Sequence, residues 1–279
     1  MQRPCRKRRP WGGLRVSNQP ETQLDRSPRP GTANVASQTA RALFHLRESL
    51  MRGEFAPGER MSELPLVARL GVSRTPIRLA LERLAHMGLL DLSASGGFTV
   101  RGYTPSEALD AIEIRGVIEG TAARLAAERL VDAGEIEPLR RLALEMERLQ
   151  RLTLDSFAHY MDLNEAFHAA IIGLAKSAMV KRAFEQAVSL PFASPSAMVF
   201  PTSGLAHADE ALAIAKLHHR SLVDAIHARQ GTRAEYLARE HAFIGRRVLA
   251  IALSDTDAFS KVPGAWLISL STEAKTRAG

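Results

Sequence analysis

Ala42, Leu43, Leu46 and Leu50 fall on one face of a helix, and the pattern that begins at Ser37 is helical in period. Gly53 and the Ala56-Pro57-Gly58 turn end it. A second helix is predicted from Ser62, an N-cap residue, with Pro65 in the first turn, where its missing N–H does no harm. Leu66, Val67 and Leu70 form its apolar side, and Gly71 closes it. A third runs from Arg74 to Met87 with Ile77, Leu81 and Leu84 inward and Gly88 as its stop. Then Leu89-Leu90-Asp91-Leu92, a Ser93–Gly97 turn and Phe98-Thr99-Val100-Arg101 read as a short hairpin. Three helices followed by a hairpin make a winged helix-turn-helix over residues 37–103.

Tyr103-Thr104-Pro105 is a short junction, and beyond it the chain is helical in period almost throughout. The predicted helices cover 105–130, 135–152, 155–174, 177–190, 207–229 and 232–253, with a proline-marked break from Pro191 to Gly204. Such a series packs as an all-α bundle of six or seven helices over residues 104–255, so the fold class is mainly α. Residues 1–36 carry five prolines and few apolar side chains and read as a disordered basic tail, and residues 256–279 read as a C-terminal tail.

Composition narrows this picture. Hydrophobic residues make up 46% of the chain and aromatics only 5%, which favours helix over sheet. No apolar run approaches the roughly 18–20 residues of a membrane span, so no membrane partner is expected. The one cysteine, Cys5, lies in the tail, which excludes disulfide scaffolds and cysteine metal cages within a monomer and fits a cytoplasmic protein. The net charge of +7 is unevenly spread: residues 1–36 carry +6, residues 37–103 carry +3 and residues 104–279 carry −2. The front of the chain suits a polyanion and the back does something else. The cluster Arg6-Lys7-Arg8-Arg9 either adds nonspecific phosphate attraction or is a solvated tail.

The third helix carries the most specific chemistry. Ser73, Arg74 and Thr75 occupy its first turn and Arg78 the next, opposite the apolar stripe. Hydrogen-bond donors at a helix start suit insertion into a DNA major groove, and the alternative is a solvated amphipathic helix.

The run Ala56-Pro57-Gly58-Glu59-Arg60-Met61-Ser62-Glu63, then Gly71-Val72-Ser73-Arg74-Thr75-Pro76-Ile77-Arg78, then Leu84-Ala85-His86-Met87-Gly88-Leu89-Leu90 resembles the GntR superfamily of bacterial transcription regulators. Arg115, Glu119, Gly120, Asn164, Phe167, His168, His219, Arg220 and His241 resemble the FadR-type subfamily and its FCD effector-binding domain. The resemblance implies a homodimer on a palindromic double-stranded DNA operator. It implies that Arg74 and Arg78 contact guanine edges or phosphates, that Ser73 and Thr75 contact the backbone, and that Gly97 lets the wing approach closely. A bidentate arginine–guanine pair discriminates by about 1–3 kcal/mol. Where many members have Arg-Glu, this chain has Leu64-Pro65, so an arginine contact is missing there.

The bundle holds the second candidate site. Asn164 and His168, four residues apart, share a helix face about 40° wide. Ile171 and Ile172 lie on that side, His241 shares a stripe with Leu237, Ile244 and Val248, and His219 shares one with Leu222 and Ile226. Three inward histidines and one side-chain oxygen suit a divalent metal: zinc first, nickel or manganese as alternatives. The alternative for each is a core histidine bonded to a carbonyl. Many relatives have Asp where this chain has Asn164, and the neutral amide leaves the metal more positive. Glu165 and, less easily, Asp162 are substitutes for the oxygen ligand, as His218 is for His219. Open coordination positions would take the carboxylate of a small organic acid effector, with Arg115 as a clamp or, alternatively, a surface arginine paired with Glu119.

The function expected is that of a ligand-responsive DNA-binding transcription regulator, not an enzyme. The competing readings are a metal-dependent enzyme fused to a DNA-binding module, with Glu165 and Asp162 as its candidate acids, and an architectural protein that uses only the tail and the winged helix.

Overall fold

The computed structural model of the 279-residue chain describes residues 30–94, 96–149, 154–197 and 208–270. The front consists of α1 (Pro30–Met51), β1 (Arg60–Met61), α2 (Glu63–Leu70), α3 (Arg74–His86), β2 (Leu90–Leu92) and β3 (Phe98–Val100). The three strands form one antiparallel sheet in the order β1-β3-β2, with Leu90 opposite Val100 and Arg60 opposite Thr99. Leu46, Leu50, Ile77, Ala80, Leu81, Leu84, Leu89 and Phe98 are fully buried in a shared core. The inward stripe of α3 therefore packs as its spacing dictates, and its polar face is left to solvent. Gly71 ends α2 in the left-handed region at φ 63°, the conformation that the tight turn into α3 requires. Ser62 stands at the N-cap of α2 as predicted, but its hydroxyl makes no capping bond.

The back is an all-helical assembly of α4 (Pro105–Arg129), α5 (Glu137–Arg148), α6 (Leu154–Leu174), α7 (Ala178–Ala187), α8 (Ala208–His227) and α9 (Gly231–Ala252). The hydroxyl of Thr104 caps α4 in a reciprocal capping box with Glu107, and Pro105 sits at the helix start. The bundle core gathers Ala122, Ala126, Leu139, Tyr160, Phe167, Ile171 and Ile226. Small residues bring α4 and α9 close. A Cβ on Gly116 would stand 2.7 Å from the Cβ of Ala242, and one on Gly120 would stand 2.9 Å from Cγ of Arg239.

Two segments differ from the sequence expectation. Residues 30–36, read as part of the tail, are already helical: α1 begins at Pro30, and the Thr39 hydroxyl donates to the Val35 carbonyl within it. A proline is tolerated in the first helical turn, so Pro30 marks a start and not a disordered stretch. Residues 256–270 are no tail either. They form α10 (Thr256–Ser260) and a 3-10 turn at Ala265–Leu267, and they bury Ala258, Val262, Leu267 and Ile268 in the front core. Ile268 pairs with Tyr103 in a parallel bridge, and the Trp266 ring packs over Gly53. These apolar residues follow no helical or strand period, so only the surface that receives them reveals their role. The expected tails at 1–29 and 271–279, including Cys5 and the basic cluster, lie outside the described residues, as do 198–204 of the predicted break.

Replacing Gly116 by Ala is expected to lower the stability by about 1–3 kcal/mol through overpacking against Ala242. Gly173 of α6 has open space around it, so Gly173→Ala is expected to raise stability by roughly 0.5–1 kcal/mol. Thermal unfolding of the two variants beside the parent measures both.

Candidate DNA-reading face and candidate metal centre

Ser73, Arg74, Thr75 and Arg78 are all exposed at the start of α3, while Pro76 and Ile77 between them and Ala80 just beyond are buried. Ser73 sits at the N-cap with an extended backbone, and its hydroxyl makes no capping bond. One carboxylate organises the two arginines. Glu63, at the start of α2, lies 3.3 Å from Nη2 of Arg74 and 3.7 Å from Nη1 of Arg78, and Glu82 accepts from Nε of Arg78 at 3.2 Å. Sequence reasoning passed over Glu63; its signal was an acid in the first turn of the helix that crosses α3. Leu64 beside it is 65% exposed, so the position lacking the family arginine presents a bare apolar side chain to solvent.

In the wing the left-handed residue is Gly96, at φ 81°, and not Gly97. Gly97 donates its N–H to the Ser93 hydroxyl at 3.1 Å, and a Cβ there would stand 3.1 Å from Nη2 of Arg60. Gly97 thus leaves room for an arginine of β1 against the hairpin, another basic group that the sequence reading did not single out.

The three predicted histidines come together from three helices. His168 of α6, His219 of α8 and His241 of α9 each offer a ring nitrogen, and these atoms lie within 4.8 Å of one another. All are deeply placed, His241 being the most open at 9% exposure. Nε2 of His219 stands 3.2 Å from Nε2 of His241. Two imidazole nitrogens on one tetrahedral ion at about 2.0–2.1 Å stand about 3.3–3.4 Å apart, so this spacing suits a shared cation. Nδ1 of His168 lies 2.8 Å from Oε1 of Glu119, while its Nε2 is buried without a hydrogen-bond partner. A carboxylate behind one ring nitrogen orients the other toward a metal.

Asn164 is buried one turn before His168, and its Nδ2 donates to the Pro195 carbonyl at 3.0 Å, leaving Oδ1 buried and unpartnered. Burial pushes His219 and His241 well below the usual imidazole range, with further lowering from His168 and neighbouring histidines. Neutral rings are what a metal ligand requires. Burial alone would raise the Glu119 carboxyl, but His168 and Arg115 outweigh it and hold it below the ordinary value. The residues present therefore fit a divalent ion held by His168, His219 and His241, and the unpartnered Oδ1 of Asn164, one helical turn before His168, is the oxygen that could join them. Such an ion would supply a Lewis-acidic centre with room for an anionic oxygen.

Of the substitutes weighed from sequence, Asp162 and Glu165 are exposed, and the half-buried His218 packs its ring 6.1 Å from that of His241 without joining the cluster of ring nitrogens. Arg115 is 5% exposed, so it is no surface arginine. It lies 3.7 Å from Glu119 and donates from Nη1 to the Ala193 carbonyl at 3.1 Å. Burial lowers the Arg115 pKa against the opposing pull of Glu119. Its guanidinium shares a small cleft with Phe192, Ser194, Ala215, Ile244 and His241, which puts a fixed positive charge beside the histidine cluster.

Residues 38–100 match the model of bacterial regulatory proteins of the gntR family, and residues 110–243 match the FCD domain. A region of 123 residues is 39% identical to the Nta operon transcriptional regulator of Aminobacter aminovorans, covering 44% of this chain and 57% of that relative. A longer match of 197 residues, 28% identical, is to the probable D-xylose utilization operon transcriptional repressor of Paenarthrobacter nicotinovorans, covering 69% of this chain and 80% of that one. The solved structure of E. coli McbR/YncC has the same fold at a TM-score of 0.53 and 21% identity, over 76% of this chain and 97% of its own.

Alanine at His168, His219 or His241 is expected to abolish stoichiometric metal binding, and Glu119→Gln to weaken it by about 10–100-fold through loss of the orienting carboxylate. Alanine at Asp162 or Glu165 is expected to leave it unchanged. Competition with a chromophoric chelator distinguishes the two groups, and an unchanged affinity in any histidine variant would remove that residue from the ligand set.

Proposed function

Because the chain belongs to the gntR family of bacterial regulatory proteins and carries an FCD domain behind its DNA-binding domain, we propose that it is a ligand-responsive transcription regulator. It acts as a homodimer on a palindromic operator and answers to a small organic acid bound at a metal in the helical domain. The observation that carries the sensing half is the convergence of three buried imidazoles beside the buried Arg115. A divalent ion, Arg115 and a neutral Asn164 against the carboxylate of Glu119 leave the pocket cationic among the described residues, which selects an anion. Zinc suits the nitrogen-rich donor set best, with nickel or manganese next.

Arg74 and Arg78, held side by side by Glu63, supply the base-reading donors, with Ser73 and Thr75 on the phosphates and Gly97 at the wing. The outer face formed by α4 and α9 suits the dimer contact. Val117 (44% exposed), Tyr236 (66%) and Phe243 (49%) line one groove there, edged by the Arg246–Glu113 pair at 3.5 Å. Apolar side chains ringed by charges of both signs on one patch match an isologous interface, in which a surface meets its own copy. An operator-reading protein works where the DNA is, in the cytoplasm, and no described helix is long and apolar enough to cross a membrane. An enzyme would need an acid or base free beside the ion. Asp162 and Glu165 face solvent, and the matched domains and relatives are regulators.

An unbiased selection from random duplexes at moderate ionic strength is expected to enrich an inverted repeat; recovery no better than scrambled competitor would overturn the reading. Arg74→Ala and Arg78→Ala are each expected to relax sequence preference and weaken the selected site by about 1–3 kcal/mol per lost guanine contact. Val117→Glu and Phe243→Glu are expected to shift the protein to monomer in sedimentation velocity, and a dimer that persists in both would move the interface elsewhere.

A further inference from the structure

The last carbonyls of a helix have no partner within it. At the end of α3, the helix that carries Arg74 and Arg78, the carbonyl of its last residue and the two that follow it all find side-chain donors, two of them from beyond the winged helix. Nε2 of Gln186 donates to the His86 carbonyl at 2.7 Å, the Ser189 hydroxyl donates to that of Met87 at 2.7 Å, and the Tyr103 hydroxyl donates to that of Gly88 at 2.6 Å. Gln186 lies in the last turn of α7 and Ser189 just after it, immediately before the stretch whose Phe192, Ser194 and Pro195 line the cleft beside His241.

That stretch is tied down at its other end by the pocket residues themselves. Arg115 donates to the Ala193 carbonyl and Asn164 to the Pro195 carbonyl, both in buried bonds, and the Ser196 hydroxyl donates to the Met161 carbonyl of α6. Between the two ends, the Phe192 ring meets the Tyr103 ring edge-on at 5.1 Å. The C-terminal segment presses on it from behind. A Cβ on Gly264 would overlap Cγ of Pro191 at 2.4 Å, and Tyr103 exchanges backbone bonds with Leu267 and Ser269.

We propose that residues 186–197 form a strap that transmits occupancy of the metal pocket to the C-terminal end of the recognition helix. The proposal rests on the metal-sensing reading above. An ion that engages Oδ1 of Asn164 fixes the amide whose Nδ2 holds Pro195. An anion that draws on Arg115 competes with the Ala193 carbonyl for the same guanidinium. Either event changes the tension on a short segment whose far end caps α3, so the pose of the reading arginines follows the state of the pocket.

The test is hydrogen exchange on the full-length protein, stripped by chelator and then given Zn2+ alone. Amides of α6, α8 and α9 around His168, His219 and His241 are expected to slow, and amides 84–89 at the end of α3 are expected to slow with them, by about fivefold or more. In Ser189→Ala and in Gln186→Ala the bundle response is expected to persist while the response at 84–89 falls. Both substitutions only remove a donor, and Gln186 makes its bond at the surface. Zn2+ slowing of the bundle with none at 84–89 in the unaltered protein would overturn the strap, as would an undiminished 84–89 response in both variants. Failure of the metal reading itself has a different signature: no zinc in the native mass spectrum and no slowing anywhere.

Discussion

The close contact between α4 and α9 is the constraint on which the rest of the back half depends. Gly116 and Gly120 leave no space for a Cβ against Ala242, Arg239 and Glu235. Each is preceded by a residue of the pocket, Arg115 and Glu119, and the narrow separation brings this edge of α4 against His241 of α9. Were the helices held apart by even a methyl group at these positions, Arg115 of α4 would draw back from His241 of α9, with which it shares a cleft. Small residues thus act here as positioning devices for large polar ones one step away along the helix.

Placing so many polar groups inside an apolar bundle is unfavourable on its own. The cluster holds a buried arginine and carboxylate, three buried imidazoles and a buried amide, and several of their atoms lack hydrogen-bond partners. The desolvation that keeps His219 and His241 neutral also leaves their lone pairs free for a cation. A divalent ion would relieve the crowding of the two Nε2 atoms and would offer a partner to the orphaned Oδ1 of Asn164. The destabilised arrangement is therefore best understood as a site that completes itself on binding, with Arg115 left over to favour an anion.

The front half solves the opposite problem, keeping charge at the surface but in order. Glu63 bridges Arg74 and Arg78 on the exposed face of α3, and Glu82 adds a second contact to Arg78, all weak enough for a polyanion to replace. The helix beneath is fixed from both ends: by the turn at Gly71 and by donors from α7 and Tyr103 on its terminal carbonyls. The C-terminal segment joins this arrangement through Tyr103, so the two halves meet through a bonded junction and not through a free linker.

The sequence by itself determined the helices, the hairpin and the inward faces of His168, His219 and His241, because periodicity of 3.6 or 2 is a local property that burial then rewards. It also placed Ser73, Arg74, Thr75 and Arg78 on the outer face of α3, for the same reason. Only the tertiary structure decided the burial of Arg115, the clasp of Glu63 and the orienting contact of Glu119, since each depends on which helix stands opposite. The same holds for residues 256–270, whose apolar side chains carry no period and gain meaning only from the surface that buries them. Spacing along one element is set by covalent geometry, whereas partnership between elements is set by packing, and no single-chain pattern encodes the second.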